Sequence, residues 1–165
     1  MKPLRIGLLG IGTVGGGTFD VLTRNAEEIS RRAGRPITIT HVADKNTALA
    51  NQVVAGRATV TDDAFGVVRN PDIDVVVELI GGYGVAKQLI LEAINNGKHV
   101  VTANKALLAL HGNEIFAAAR AKGVIVAFEA AVAGGIPIIK ALREGLVANR
   151  IEWIAGIING TTNFI

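Results

Sequence analysis

The chain has no cysteine. That excludes disulfides, thiolate metal sites and a cysteine nucleophile, and it fits a reducing, cytoplasmic setting. Aromatic residues are scarce at 4%, with one Trp and one Tyr. A core must therefore be built from Val, Ile, Leu and Ala, a palette that suits parallel strands covered on both faces. No apolar run approaches the roughly 20 residues that a membrane span requires, so no membrane partner is expected. The first apolar run is short, and its glycines belong to a tight turn rather than to a signal-peptide cleavage site. Charge is scarce too: 19% of residues are charged and the net charge is +3. One basic cluster stands out, Arg24, Arg31, Arg32 and Arg35. No aromatic flanks it, as nucleic-acid stacking would require, so it reads as a solvated helix end and no nucleic acid is expected.

What is abundant is apolar aliphatic residue and glycine. Half of the 165 residues are hydrophobic, the mean hydropathy is +0.41, and there are 20 glycines. One domain is the default for this length, with room for the start of a second. Apolar spacing predicts alternating strands and helices. Strands are expected at 5–9, 37–43, 74–80, 99–103, 124–130 and 150–158. Helices are expected at 13–33, with Val14, Thr18, Val21, Leu22 and Ile29 on one side, and at 47–55, 85–95 and 111–122. A short helix opens at Asp62 or Asp63 and breaks at Asn70-Pro71, and another starts at Pro137. This alternation implies an α/β doubly wound parallel sheet. No helix stop, polar tail or turn cluster closes the chain at Ile165, and a truncated chain is the expectation.

Gly10-Ile11-Gly12-Thr13-Val14-Gly15 matches G-x-G-x-x-G between a strand and a helix. That is the dinucleotide fingerprint: Gly10 for the turn, Gly12 for close approach of a pyrophosphate, Gly15 for helix–strand packing, and a helix N-terminus facing the anion. Gly16 and Gly17 exceed what the fingerprint needs and suggest close packing of that helix. Asp44 ends the second strand, 29 residues after Gly15 rather than about 20, because the first helix is long. Asp44 favours a free ribose 2′-hydroxyl, as in NAD. Lys45 can pair with a 2′-phosphate, as in NADP. Gly81-Gly82 ends a central strand, where missing side chains make room for a cofactor.

Lys105, after Asn104 and just past a strand's carboxyl end, is a candidate to contact a nicotinamide ribose or a substrate oxygen and to relay a proton. Glu129 sits in an apolar setting and needs a partner; a carboxylate beside loop carbonyls can hold a hard cation. The polar turn "NGTTNF" at 159–164 is a candidate for a small polar substrate or a helix cap. Tyr83 and Lys87 fit the Tyr-x-x-x-Lys pair of short-chain dehydrogenases, but the glycine spacing does not match that family. His41, His99 and His111 show no metal-ligand spacing, and the first two read as structural.

In this order, "GLLGIGTVGGG", "VVELIGG", "GKHVVTANKALLA", "FEAAVAGGIPII" and "GIINGTTNFI" resemble homoserine dehydrogenase of bacterial type. The resemblance covers essentially the whole chain. It implies a Rossmann-type NAD(P)-binding domain over 1–135 and the beginning of a substrate and dimerisation domain over 136–165. It implies interconversion of L-homoserine and L-aspartate 4-semialdehyde with NADP or NAD, in threonine, methionine and isoleucine biosynthesis. It places cofactor contacts at Gly12, Thr13, Val14, Gly81, Gly82 and Lys105, and makes Lys105 part of the catalytic site. A monovalent cation, usually sodium, would be held by Glu129, Val132, Gly134 and Ile136. Gly160, Thr161 and Thr162 match the segment that enters the substrate region. The family's acidic substrate ligand and second lysine, and its homodimer or higher assembly, belong to sequence this chain lacks, so the chain alone is expected to be inactive while still able to bind nucleotide. Two alternatives stand beside this. One is a sugar- or inositol-type dehydrogenase, which usually carries Glu-Lys-Pro where this chain has Asn104-Lys105-Ala106. The other is a nucleotide-sensing regulatory module.

Overall fold

The computed structural model describes residues 2–156. Six parallel strands form one sheet: β1 (Leu4–Leu9), β2 (Ile37–Ala43), β3 (Thr59–Thr61), β4 (Val75–Glu78), β5 (His99–Thr102) and β6 (Val126–Ala127), in the order β3-β2-β1-β4-β5-β6. The helices are α1 (Thr13–Arg24), α2 (Ala26–Ala33), α3 (Thr47–Val54), α4 (Ala64–Arg69), α5 (Gly84–Asn95), α6 (Lys105–Lys122) and α7 (Ile138–Lys140), which runs on as a wider π turn over Ala141–Gly145. The chain reverses its direction of travel across the sheet between β1 and β4. In open α/β sheets that crevice is where ligands bind.

Side-chain alternation along the strands divides the core in two. Leu9 and Val76 face one side, with Ala86, Leu89, Ile90, Leu107 and Ile115 of α5 and α6. Ile6, Leu8, Val75 and Val77 face the other, with Phe19 of α1 and Ala50 and Val54 of α3. Gly7 lies on the first side, where a Cβ would come within 2.6 Å of Val67; only glycine lets α4 lie that close. Local rules set most boundaries. Asn46, Asp63 and Asn104 each accept an N–H of the helix they precede, and Gly34 and Gly123 close helices in the left-handed conformation.

Several expected elements change. The 13–33 helix is two helices, because Asn25 adopts φ −105° and ψ 22°, ending α1 and starting α2. Asn has a lower helix propensity than most residues, and its side chain caps neither helix. The buried side of α1 carries Gly15 and Phe19, while Val14 and Val21 are exposed. They face an open apolar groove of about 910 Å³ over β4 and β5, lined also by Val75, Val77, Val101 and Ile125. Gly16 and Gly17 have no close packing to explain them: a Cβ on Gly17 would meet nothing within 4 Å, and one on Gly16 only the Ile11 carbonyl at 3.5 Å. α6 begins at Lys105 rather than 111, since Asn104 caps it. β3 was too short to stand out as a strand.

The 124–130 strand is only two residues long. β5 offers partners for Val126 and Ala127 alone, after which Glu129–Ala131 turns as a 3₁₀ helix and the Glu129 carboxylate reaches Ile139 and Lys140. Residues 150–156 have no regular structure, and the remainder of the expected last strand lies outside the described residues. A strand needs a pairing partner, and no described strand lies alongside this one.

Lys98 is an unusual core residue. It is buried, and its ammonium donates to the Asn70 and Ile73 carbonyls at 2.6 and 2.7 Å, tying the end of α4 to the start of β5. Burial pulls this ammonium below the ordinary lysine value, while Asp74 and Asp72 pull the other way. Lys98→Met keeps the length of the side chain and deletes the donors. It should lower unfolding free energy by about 1–3 kcal/mol, the cost of stranding buried carbonyls. An unchanged urea midpoint would show that those carbonyls find other partners.

Candidate cofactor and catalytic site

The carboxyl ends of β1, β2, β4 and β5 form one rim, and most of the residues singled out from sequence gather there. Gly10 has φ +92°, and a Cβ on it would press on the Leu79 carbonyl at 2.8 Å. Gly15 sits so close to the Gly10 carbonyl that a Cβ would lie 2.0 Å from that oxygen. Gly12, in contrast, faces open space. The first turn of α1 carries no acidic residue and no side-chain cap, so its N–H groups are left for an anion. This is a cradle that fits a pyrophosphate: two glycines shape the turn and the third leaves the approach clear.

Asp44 stands beside the loop. One carboxylate oxygen accepts the Ile11 N–H at 2.7 Å and the other the Asn46 N–H at 2.8 Å, so Asp44 fixes the loop to the end of β2. With Lys45, Gly10, Gly12, Asp62 and Phe65 it lines a cleft of about 450 Å³, of a size to take an adenosine end. A second cleft, of about 310 Å³, lies across the rim and is lined by Val14, Glu78, Leu79, Gly81, Ala103, Asn104, Lys105 and Ala106. Lys105 is exposed at the first position of α6, and Asn104 donates through Nδ2 to the Gly82 carbonyl at 2.7 Å. Gly81 and Gly82 both have positive φ, +79° and +73°, and a Cβ would meet nothing near either. The Gly-Gly turn is thus held against the start of α6, and the two clefts share Leu79 as a wall.

Two residues of this rim carried no functional reading in the sequence. Glu78 ends β4, is fully buried, and accepts the Ile80 and Gly81 N–H groups and the Thr102 hydroxyl. The available signal was a lone carboxylate inside "VVVELI", directly before Gly-Gly. Thr102, also fully buried, in turn accepts the Asn104 N–H at 3.0 Å.

A homoserine dehydrogenase NAD-binding-domain model matches residues 10–129. The chain belongs to the homoserine dehydrogenase family. A second model, described as homoserine dehydrogenase, matches residues 137–165. The chain is 67% identical to the homoserine dehydrogenase of Pseudomonas aeruginosa over all 165 residues, which span 38% of that protein. The crystal structure of a homoserine dehydrogenase from Thiobacillus denitrificans superposes with a TM-score of 0.92 at 66% identity, over 99% of this chain and 38% of the other. The enzyme from S. aureus at pH 7.5 gives a TM-score of 0.75 at 34% identity, over 82% and 34% of the two chains. The chain therefore spans about 38% of the length of the curated relatives it matches. Membership of the homoserine dehydrogenase family sets aside the sugar- and inositol-type alternative.

The remaining expected residues lie apart from this rim or outside the described chain. In the Glu129–Ile136 region, the Glu129 carboxylate accepts the Ile139 and Lys140 N–H groups, both at 2.9 Å. Ala133 and Gly134 have positive φ there, at 55° and 60°. Among the described residues no three His, Asp or Glu side chains converge as a metal site. Gly160, Thr161 and Thr162 lie outside the described residues. Tyr83 is exposed and Lys87 pairs with Glu114 at 2.7 Å, so they are not an acid/base pair. His41 meets Thr40 and Asn70, His99 accepts the Ile125 N–H, and both are structural. Arg31 and Arg32 pair with Glu28, and Arg24 with Asp20, on solvated helix faces. No described helix is long and apolar enough to cross a membrane.

Proposed function

We propose that the chain is the NAD(P)-binding part of an enzyme interconverting L-homoserine and L-aspartate 4-semialdehyde by hydride transfer. The observation that carries this is the cleft of about 310 Å³ where Gly81 and Lys105 meet Val14 beside the glycine loop. The bound nicotinamide cofactor supplies or accepts the hydride. The first turn of α1 and the clear approach at Gly12 hold its pyrophosphate, with Thr13 and Val14 alongside. Leu79, Val14 and Ala103 wall the cleft with apolar surface and limit water. Lys105 holds positive charge, and a proton, at the oxygen that gains negative charge when the aldehyde is reduced. Gly160, Thr161 and Thr162 would receive the small polar substrate.

On the same reading, residues 1–135 form the NAD(P)-binding domain and 136–165 begin the substrate and dimerisation domain of a homodimer or larger assembly in the cytoplasm. The carbonyls of Val132, Gly134 and Ile136, with Glu129, would hold a monovalent cation such as sodium. The carbonyls of Val132 and Gly134 accept no hydrogen bond from a described residue, whereas the Ile136 carbonyl accepts the Ile138 N–H at 2.8 Å and each Glu129 oxygen accepts one N–H of α7.

A substrate screen tests the main proposal. The full-length protein should reduce NAD(P) with L-homoserine and not with inositol; inositol oxidation, or no homoserine-dependent reduction, would overturn it. The 165-residue chain alone should bind nucleotide without turnover. Asp44 and Lys45 share the adenosine cleft. Titration with NADH and NADPH should therefore find both bound, with a preference below about 1000-fold, or roughly 4 kcal/mol. A stronger preference would mean that one of the two residues alone reads the 2′ position.

A further inference from the structure

We propose that Glu78 and Thr102 are positioning residues that set the distance between the Gly81-Gly82 turn and Lys105. The inference rests on the cofactor and catalytic roles proposed above. Its basis is a closed circuit of hydrogen bonds. Glu78 and Thr102 are register partners on β4 and β5. One oxygen of Glu78 accepts the N–H groups of Ile80 and Gly81 at 2.9 and 3.1 Å, and the other accepts the Thr102 hydroxyl at 2.7 Å. The same hydroxyl oxygen accepts the Asn104 N–H at 3.0 Å. Asn104 closes the circuit by donating to the Gly82 carbonyl at 2.7 Å, while its Oδ1 accepts the Leu107 N–H and caps α6.

A buried carboxylate with three donors and, among the described residues, no ion-pair partner is costly to place in a core. It is not needed to pair β4 with β5, which their backbones already do. What it does fix is a turn of two glycines with positive φ, which would otherwise be the softest part of the rim. Through Thr102 it fixes the first residues of α6 relative to that turn. A displacement of about 1 Å at such a site is enough to cost rate heavily. The arrangement is therefore a rigid brace between the part of the rim that meets the cofactor and the residue that meets the reacting oxygen.

The test uses Thr102→Val, which keeps shape and deletes the hydroxyl, with Thr102→Ser as the conservative rescue and Glu78→Gln as an independent cut. In the full-length protein, Thr102→Val should weaken NADPH binding, read by fluorescence titration, by about tenfold, and lower kcat by about tenfold. Thr102→Ser should restore both, and Glu78→Gln should match Thr102→Val, with little further loss in the double variant. Should Thr102→Val fail to fold, Glu78→Gln against Thr102→Ser carries the comparison. Folded variants that bind NADPH and turn over within twofold of the parent protein would overturn the proposal. So would losses that only follow the unfolded fraction in thermal melts. A parent protein without homoserine-dependent activity would instead overturn the functional reading, and the brace would still be judged by the binding titration.

Discussion

Lys105→Ala in the full-length protein should lower kcat/KM for homoserine oxidation by about 100- to 10,000-fold and leave the thermal midpoint nearly unchanged. The size follows from what the side chain is asked to do. Removing a positioned proton carrier or a charged group at a developing oxyanion costs about two to four powers of ten. The small stability effect follows from geometry. Lys105 is exposed at the start of α6, and the cap that holds that helix end comes from Asn104, which the substitution leaves in place. A surface change of this kind stays within about 0.5 kcal/mol. Steady-state kinetics with saturating NADP, alongside a melt, separates the two. Turnover within threefold of the parent would mean that Lys105 is only a solvated helix residue and that another group carries the proton.

The second large effect comes from the glycine loop, where Gly15→Ala and Gly12→Ala should fail in different ways. A methyl at Gly15 would lie 2.0 Å from the Gly10 carbonyl, a backbone atom that can yield only if the whole turn opens. That variant should lose about 1–3 kcal/mol of stability, in the range of overpacked sites, and bind NADPH at least about 100-fold more weakly. A methyl at Gly12 meets no protein atom within 4 Å. That variant should melt like the parent yet bind the nucleotide poorly, because the methyl takes the space kept for the pyrophosphate. Gly17→Ala, also in open space but one turn into the helix, should gain up to about 1 kcal/mol from helix propensity alone. Equal stability and equal affinity across the three would mean that this loop does not carry the phosphate.

These contrasts also mark how far the sequence could be read. The strand-loop-helix around Gly10–Gly15, the short helix opening at Asp63, and the strands at 5–9, 37–43, 74–80 and 99–103 follow from short-range rules, and the structure has them. What the sequence hid depends on partners far along the chain. Whether 124–130 could remain a strand depended on how many partners β5 offered, and Glu129 turned out to serve the backbone of α7. The buried side of α1 is not the one its apolar residues suggest: Val14 and Val21 are exposed, whereas Gly15 lies against the Gly10 carbonyl and Phe19 is buried. Glu78 passed without a role because a carboxylate in an apolar run gives no sign of which donors will surround it. Those donors come from Thr102 and from a turn whose path only the fold defines.

The strand order has a consequence in time. β1 lies at the centre of the sheet, and the hydrogen bond from its Arg5 N–H to Asp74 joins residues 69 positions apart. At a synthesis rate of about 5–20 residues per second, β1 leaves the ribosome roughly 3 to 14 s before β4. Pairing with β2 comes sooner, but through that interval β1 keeps one edge and the glycine loop without their neighbours. The nascent chain thus carries an unpaired apolar strand edge for seconds, the kind of aggregation-prone surface that chaperones shield. The cofactor cradle, although encoded in the first 15 residues, cannot close until Leu79 arrives to set its floor.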